Sequence, residues 1–390
     1  MNLKISKILR FLLSIKSVLY INLSIKFKKF FNKELKVIFF YFPVKSYQNN
    51  ILELIDRIRQ EKNIEVILGY NLGSSTEVKN YEKTFFINLG YLRFIKQVDI
   101  FLSSYVVYDF PNSVSKIYIN HDIYDTPMVD VEKEKNLIET LNKCNYIFLS
   151  SEIAISALHK KIDYYSEDKI EKKKPLLINT GYLKLDHVYE KLKNNKSVEN
   201  SILLAPTLSS MLKDYNLDED LDSIINGIID KSNFKIIYRP HPADLVNPKK
   251  RLIINNIYKK YKNNKNFDLD FNTSYLDSYK KSKILITDFS GTAYTYAFSK
   301  MRPIIFFSKN EQNLIKSNFN DLYFFKDRLD VGRIVQSIDN LVEEIYSVNN
   351  RIDFYSNKIK LLRSERIKFF KCSIEENLFN LKKILNVKNQ

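Results

Sequence analysis

From residue 36 onward the chain alternates short apolar runs with longer stretches in which apolar positions recur at helical spacing. The runs KVIFFYF (36–42), NIEVILGY, KTFFINL, VDIFLSS, KIYIN, NYIFLSS and PLLIN are rich in Ile, Phe, Val and Tyr, the make-up of strands buried on both faces of a sheet. Segments such as NNILELIDRIRQE separate several of them. This rhythm predicts βαβ units and a parallel sheet. It pauses at YEKLKNNKSVENS (189–201), a polar run suited to a helix end and a linker, and restarts with ILLAPT, FKIIYRP, KILITD and PIIFF. Two α/β domains with a cleft between them are expected, with the boundary near residue 198. After residue 333 the pattern turns helical, through RIVQSIDNLVEEIYSV and a Lys-rich tail expected to pack back over the sheets.

The first 33 residues read differently. Lys4, Lys7, Arg10, Lys16, Lys26, Lys28, Lys29 and Lys33 are interleaved with Leu, Ile and Phe, and no acidic residue precedes Glu34. Lys16 interrupts the apolar run, the uncharged stretches fall short of the roughly 20 residues that span a bilayer, and no small-residue cleavage site follows. Two readings stand: a helix lying in the interface of an anionic membrane, or a first helix packed on the body of the protein with solvated lysines.

Composition narrows the picture. Hydrophobic residues make up 45% and aromatics 14%, so the chain is globular and not disordered. The formal charge of +17 invites a nucleic-acid reading, but Lys, Asn, Ile, Tyr and Phe are all abundant while Gly numbers 7 and Trp is absent, a skew that A/T-rich coding produces by itself. With no RNA- or DNA-reading motif, nucleic acid is not an expected partner. An anionic membrane surface or a phosphorylated substrate suits the charge. Cys144 and Cys372 stand far apart without ligand spacing, so neither a disulfide framework nor a zinc site is expected.

In doubly wound sheets ligands bind beyond the carboxyl ends of the strands. ILLA is followed by Pro206-Thr207, FKIIY by Arg239-Pro240-His241-Pro242, and KILIT by Asp288-Phe289-Ser290-Gly291-Thr292. Three strands of the second domain thus deliver hydroxyl, guanidinium, imidazole and carboxylate groups to one edge. TAYTYAFSK predicts a helix whose first turn starts at Ser290-Gly291-Thr292, where backbone N–H groups and hydroxyls form a seat for an anion, or where Asp288 or Ser290 caps the helix. Arg239 offers forked donors, and the prolines flanking His241 stiffen its segment. Together these point to a diphosphate site. No G-x-G-x-x-G, no G-x-x-x-x-G-K-[ST] and no hydrolase elbow is present. In the first domain KIYIN leads into His121-Asp122-Ile123-Tyr124-Asp125-Thr126-Pro127. His121 is the candidate base there, with Asp122 as the acid that orients it. H-D-x-x-D also has metal-ligand chemistry, but it lacks further clustered His, so no metal is assigned. His159 reads as surface and His187 as structural.

NHDIYDTP, NTGYLKLD (179–186), ILLAPT, YRPHP and ILITDFSGTAYTYAFSKMRPIIFF occur in an order that resembles the CDP-glycerol glycerophosphotransferase family of teichoic-acid polymerases and primases, similar in turn to GT-B glycosyltransferases. The resemblance covers about residues 117–308. Asp122 stands where the family has Gly, Leu183-Lys184-Leu185 replace Pro-Arg-Asn between Gly181-Tyr182 and Asp186, and Gly291 replaces a second Ser.

The resemblance implies a GT-B-like α/β fold of two Rossmann-type domains with parallel sheets facing across a cleft. Residues 1–34 would form the basic amphipathic membrane-surface segment, 35–198 the acceptor domain, 199–345 the nucleotide-donor domain and 346–390 the closing helices. It implies transfer of glycerol- or ribitol-phosphate from a CDP-linked donor to a polymer or lipid-linked hydroxyl, with release of CMP. His121 and Asp122 would be catalytic, and Thr207, Arg239, His241, Asp288, Ser290, Gly291 and Thr292 would bind the donor. Gly181, Tyr182 and Asp186 would stand at an interdomain position. No cofactor is expected beyond the donor substrate, and the expected place is the cytoplasmic face of the membrane. A GT-B glycosyltransferase using a nucleotide sugar and a non-catalytic membrane-surface scaffold are the alternatives.

Overall fold

The computed structural model describes residues 7–44, 48–49, 51–71, 84–112, 114–124, 131–166, 174–194, 198–210, 215–272, 274–316 and 321–387. The chain divides into two units, one of residues 1–121, 130–184 and 369–390, the other of residues 122–129 and 185–368. The division falls at Lys184–Leu185, ahead of the polar run near 198, because the helix Leu183–Leu192 joins the second unit almost from its start. The C-terminal helices also part company: Ile338–Asn350 and Ile352–Arg366 stay with the second unit, while Ser373–Val387 returns to the first.

In the first unit β1 (Lys36–Phe42), β2 (Ile64–Tyr70), β3 (Thr84–Phe86), β4 (Ile100–Ser103), β5 (Ser115–Ile119), β6 (Tyr146–Leu149) and β7 (Leu176–Asn179) form one parallel sheet in the order β3-β2-β1-β4-β5-β6-β7. Alternation along β1 sends its side chains to two cores. Ile38, Phe40 and Phe42 pack with Leu54, Ile55 and Ile58 and with Leu378, Leu381 and Leu385 of the returning helix. Val37, Phe39 and Tyr41 pack with Val18, Ile21 and Ile25 of the N-terminal helix Lys7–Phe31.

That helix packs one face on the first unit, as the second of the two readings expects. Its buried positions Ser14, Val18, Ile21 and Ile25 follow a helical stripe, and burying the three aliphatic chains stabilises the docked state by on the order of 5–9 kcal/mol. Ser17 Oγ bonds the Phe86 carbonyl, Asn22 the Phe94 carbonyl, and Lys28 and Lys29 pair with Glu65 and Asp99. The acids that the N-terminal sequence lacks are thus supplied by the sheet for two of its lysines. The opposite face leaves Leu19, Leu23, Phe27, Phe30 and Phe31 exposed. Among the described residues this is the one helix long and apolar enough to cross a membrane by length and composition.

In the second unit β8 (Ser201–Leu204), β9 (Lys235–Tyr238), β10 (Phe267–Leu269), β11 (Ser282–Thr287), β12 (Ile304–Phe307) and β13 (Gly332–Val335) run parallel in the order β10-β9-β8-β11-β12-β13. Counted from its first strand this is order 3-2-1-4-5-6, whose switch point lies between β8 and β11. The pattern analysis does not contain β10 or β13. β13 starts at Gly332, where a Cβ would stand 1.7 Å from the Ile304 carbonyl oxygen. Only glycine permits that approach.

Candidate active site

In the second unit the expected donor-site residues lie on the loops after β8, β9 and β11, three neighbouring strands of the sheet. Asp288 follows β11, and its carboxylate accepts the backbone N–H groups of Thr207 (2.8 Å), Leu217 (3.1 Å) and Phe289 (2.7 Å). Its side chain is fully buried, and burial outweighs those hydrogen bonds to push the acid up to about 6. Asp288 therefore ties the loop after β8 to the loop after β11, and it does not cap the helix Thr292–Lys300. That helix has Gly291 at its N-cap without a side-chain cap, and Ser290 Oγ accepts the Thr292 N–H only at 3.4 Å. Thr292 Oγ1 lies 2.6 Å from the buried Tyr279 hydroxyl.

Arg239 stands at the carboxyl end of β9, but its guanidinium is held by the Asp270 carboxylate and by backbone carbonyls. Nη1 donates to Asp270 Oδ2 at 2.5 Å and Nη2 to the Asn272 carbonyl at 2.9 Å. Burial alone would raise the Asp270 acid, yet Ser278, the Asn272 N–H and Arg239 together hold it below the usual range. His241 is the N-cap of the short helix Pro242–Val246, its Nδ1 accepting the Ala243 N–H at 3.2 Å. Asp244 of that helix bonds Ser209 Oγ at 2.6 Å and Ser209 N–H at 3.1 Å, which fixes it to the loop after β8.

In the first unit His121 follows β5. Its Nδ1 lies 3.1 Å from the Tyr118 hydroxyl, the Tyr105 ring stacks beside it at 6.3 Å, and its carbonyl accepts the Tyr182 hydroxyl at 2.5 Å. Gly181 has φ +76°, and a Cβ there would meet Phe369 Cβ at 2.9 Å, so the left-handed turn that aims Tyr182 requires glycine. Sequence reasoning gives the orienting role to Asp122, and the Tyr118 phenol is a partner of the imidazole that it does not name. The chain passes into the second unit after His121. Asp122 Oδ1 there lies 3.5 Å from the point a Gly291 Cβ would occupy.

Tyr124, two residues further, is buried edge-on against Tyr294 at 4.4 Å and donates to Asp327 Oδ2 at 2.8 Å. Arg366 grips the same carboxylate with Nε at 2.8 Å and Nη2 at 3.0 Å. Asp125, Thr126 and Pro127 lie outside the described residues. Asp186 is buried on the helix Leu183–Leu192, in the field of Arg363. Among the described residues no group of three or more His, Cys, Asp or Glu is placed to hold a metal ion.

The family model described as CDP-Glycerol:Poly(glycerophosphate) glycerophosphotransferase matches residues 22–380. The chain belongs to that family. Among curated proteins this glycerophosphotransferase-family chain is similar to the minor teichoic acid biosynthesis protein GgaB of Bacillus subtilis (strain 168), 26% identical over 186 residues. That match takes in 42% of this chain and 19% of GgaB, so it spans about a fifth of that relative's length.

Solved structures extend the likeness to the whole fold. A variant of the wall teichoic acid polymerase TagF soaked with CDPG superposes with TM-score 0.61 at 15% identity, covering 99% of this chain and 100% of that one. The UDP-GlcNAc 2-epimerase of Methanocaldococcus jannaschii, in complex with UDP-GlcNAc and UDP, gives 0.58 at 16% identity over 90% and 100%. The glycerophosphotransferase family is thus carried here on a GT-B-like α/β fold.

Of the residues that hold these motifs in each unit, Tyr118 and Tyr105 in the first and Asp270 in the second are absent from the motif analysis. A tyrosine within a strand reads as core, and Asp270 is 31 positions from Arg239. The one available signal is Tyr118-x-Asn120, a polar pair at the carboxyl end of β5 immediately before the motif histidine.

Proposed function

We infer that the protein transfers a polyol phosphate, glycerol- or ribitol-phosphate, from a CDP-linked donor to a hydroxyl of a cell-envelope polymer or lipid-linked acceptor. The observation that carries this reading is the placement of the best-kept family motifs: R-P-H-P follows β9 and D-F-S-G-T follows β11, on either side of β8 at the switch point. Arg239, by holding the 270–274 loop, shapes the seat that His241, Ser290 and the N-terminus of Thr292–Lys300 form for the diphosphate.

In the reaction the acceptor oxygen attacks the polyol-bearing phosphorus in line, the bond from that phosphorus to the bridging oxygen breaks, and CMP departs with the bridging oxygen and its electron pair. His121 takes the proton of the attacking hydroxyl. A new phosphodiester joins polyol and acceptor. The exposed apolar face of Lys7–Phe31, with Lys16 and Lys26 on it, would rest on the anionic cytoplasmic leaflet and bring the enzyme to its acceptor.

One feature favours a second reading. Asp122, where the family has Gly, places a carboxylate beside Gly291, so a donor with a different second group, a nucleotide sugar, belongs in the same assay. Incubation with radiolabelled CDP-glycerol, CDP-ribitol and UDP-sugars, scored for CMP or UDP release, tests both. CMP release from a CDP-polyol supports the first reading; UDP release alone supports the second.

A further inference from the structure

We propose that the outward face of the helix Pro248–Tyr261, in the second unit, is a second membrane-contact surface, and that its partner is the headgroup region of an anionic lipid leaflet. The surface is separate from the first helix and does not depend on which donor the enzyme uses.

The helix is fixed by its amino end and by one stripe. Asn247 accepts the backbone N–H groups of Lys249 and Lys250, Pro248 opens the first turn, and Ile254, Ile257 and Tyr261 are buried. Leu252 falls opposite that stripe, and Lys249, Asn256 and Lys259 share its face at helical spacing, all of them exposed.

The charge of this segment is one-sided. From Leu245 to Phe267 there are seven Lys or Arg and no Asp or Glu, in a chain where acids make up 45 of 390 residues. Lys250 and Lys260 are paired with Asp218 and Asp222 from outside the segment. Lys249, Arg251, Lys259 and Lys262 are exposed and make no ion pair among the described residues. Lys249, Lys250 and Arg251 also crowd the amino end of the helix, whose first turn holds no acid. The helix dipole disfavours cations there, so the arrangement works against the stability of the helix itself. An anionic surface laid against it reverses the sign.

Apolar chains stand among these cations. Val246 is 81% exposed and Leu252 62%, and Ile253, Tyr258 and Phe271 are exposed beside them, the last two with ring centroids 6.5 Å apart. A soluble polyanion would match the cations and leave these chains in water. A leaflet takes both, its phosphates meeting Lys and Arg and its upper acyl region meeting Leu252 and its neighbours. The cations outnumber the apolar chains on the outermost face, so attraction is mainly electrostatic and shallow. In physiological salt such a patch adds to the hold of the first helix and does not replace it.

The test uses the full chain, which contains no Trp. Leu252→Trp, at a position already exposed, puts the sole indole on the proposed face. Phosphatidylcholine vesicles containing phosphatidylglycerol are expected to shift its emission to the blue, and pure phosphatidylcholine vesicles to leave it unchanged. Lys249, Arg251 and Lys259 replaced together by Ser are expected to lower affinity for the anionic vesicles about 10- to 100-fold with Tm unchanged. An unshifted indole on a chain that co-sediments with the vesicles overturns the proposal and leaves the first-helix contact standing, as does a triple variant that binds undiminished. A shift produced by a soluble glycerol-phosphate oligomer and not by vesicles overturns it in favour of a polyanion, and a shift that grows with protein concentration in the absence of lipid overturns it in favour of a second copy of the chain. A chain that does not sediment with anionic vesicles at all overturns both membrane contacts together.

Discussion

The backbone N–H of Thr207 donates to the carboxylate of Asp288 at 2.8 Å, joining the ends of β8 and β11 where the order of the second sheet reverses. This contact, with those from Leu217 and Phe289, makes Asp288 the tie of the candidate donor site. It also makes the tie sensitive to pH.

Asp288 is pushed from its ordinary 3.8 up to about 6 by burial. The folded protein therefore binds this proton more tightly than the unfolded chain, and stability from this group is full below pH 4 and falls as pH rises through 6. Asp288→Asn removes the titration. Urea denaturation from pH 4 to 8 is expected to show the difference between the unaltered protein and the variant shrinking with rising pH; a difference that grows through pH 6 would contradict the assignment.

Arg239→Ala is expected to raise the donor KM by about tenfold, roughly 1.4 kcal/mol, because the 270–274 loop loses its anchor. Asp270→Asn loosens the same loop from the other end and is expected to act in the same direction. Donor titration by calorimetry reads both; unchanged affinity in both would remove Arg239 from the donor site.

Tyr124 fastens the start of the second unit to Asp327. Tyr124→Phe keeps the ring against Tyr294 and removes one bond to a carboxylate, which costs about 1.5–3 kcal/mol. A clear fall in Tm follows; an unchanged Tm would show that Arg366 alone holds Asp327.

Replacing Leu19, Leu23 and Phe27 together by Ser removes the exposed stripe of the first helix while leaving Val18, Ile21 and Ile25 in the core. Co-sedimentation with anionic vesicles is expected to be lost and thermal stability kept. Vesicle binding equal to that of the unaltered chain would place the membrane contact elsewhere.

Much of the fold was legible because parallel strands buried on both faces write themselves as apolar runs, as KVIFFYF and KILITD do. β10 was not, since FDL is three residues at a sheet edge after a polar turn, and β13 was not, since Gly332 hides its start and the helix Ile338–Asn350 follows at once. The motif residues were legible by their place after strands. Their partners were not: the hold of Asp270 on Arg239 and of Tyr118 on His121 are tertiary contacts, and in sequence Tyr118 is one more aromatic in an aromatic-rich chain.

The most direct measurement is CMP release from CDP-glycerol with a glycerol-phosphate oligomer as acceptor, run alongside donor binding. The expected result is turnover by the unaltered protein, loss of at least about 100-fold in His121→Ala, and donor affinity in that variant within a few fold of the original. Turnover by His121→Ala at the original rate, or a loss of donor binding matching that of Arg239→Ala, would contradict the assignment of His121 as the base.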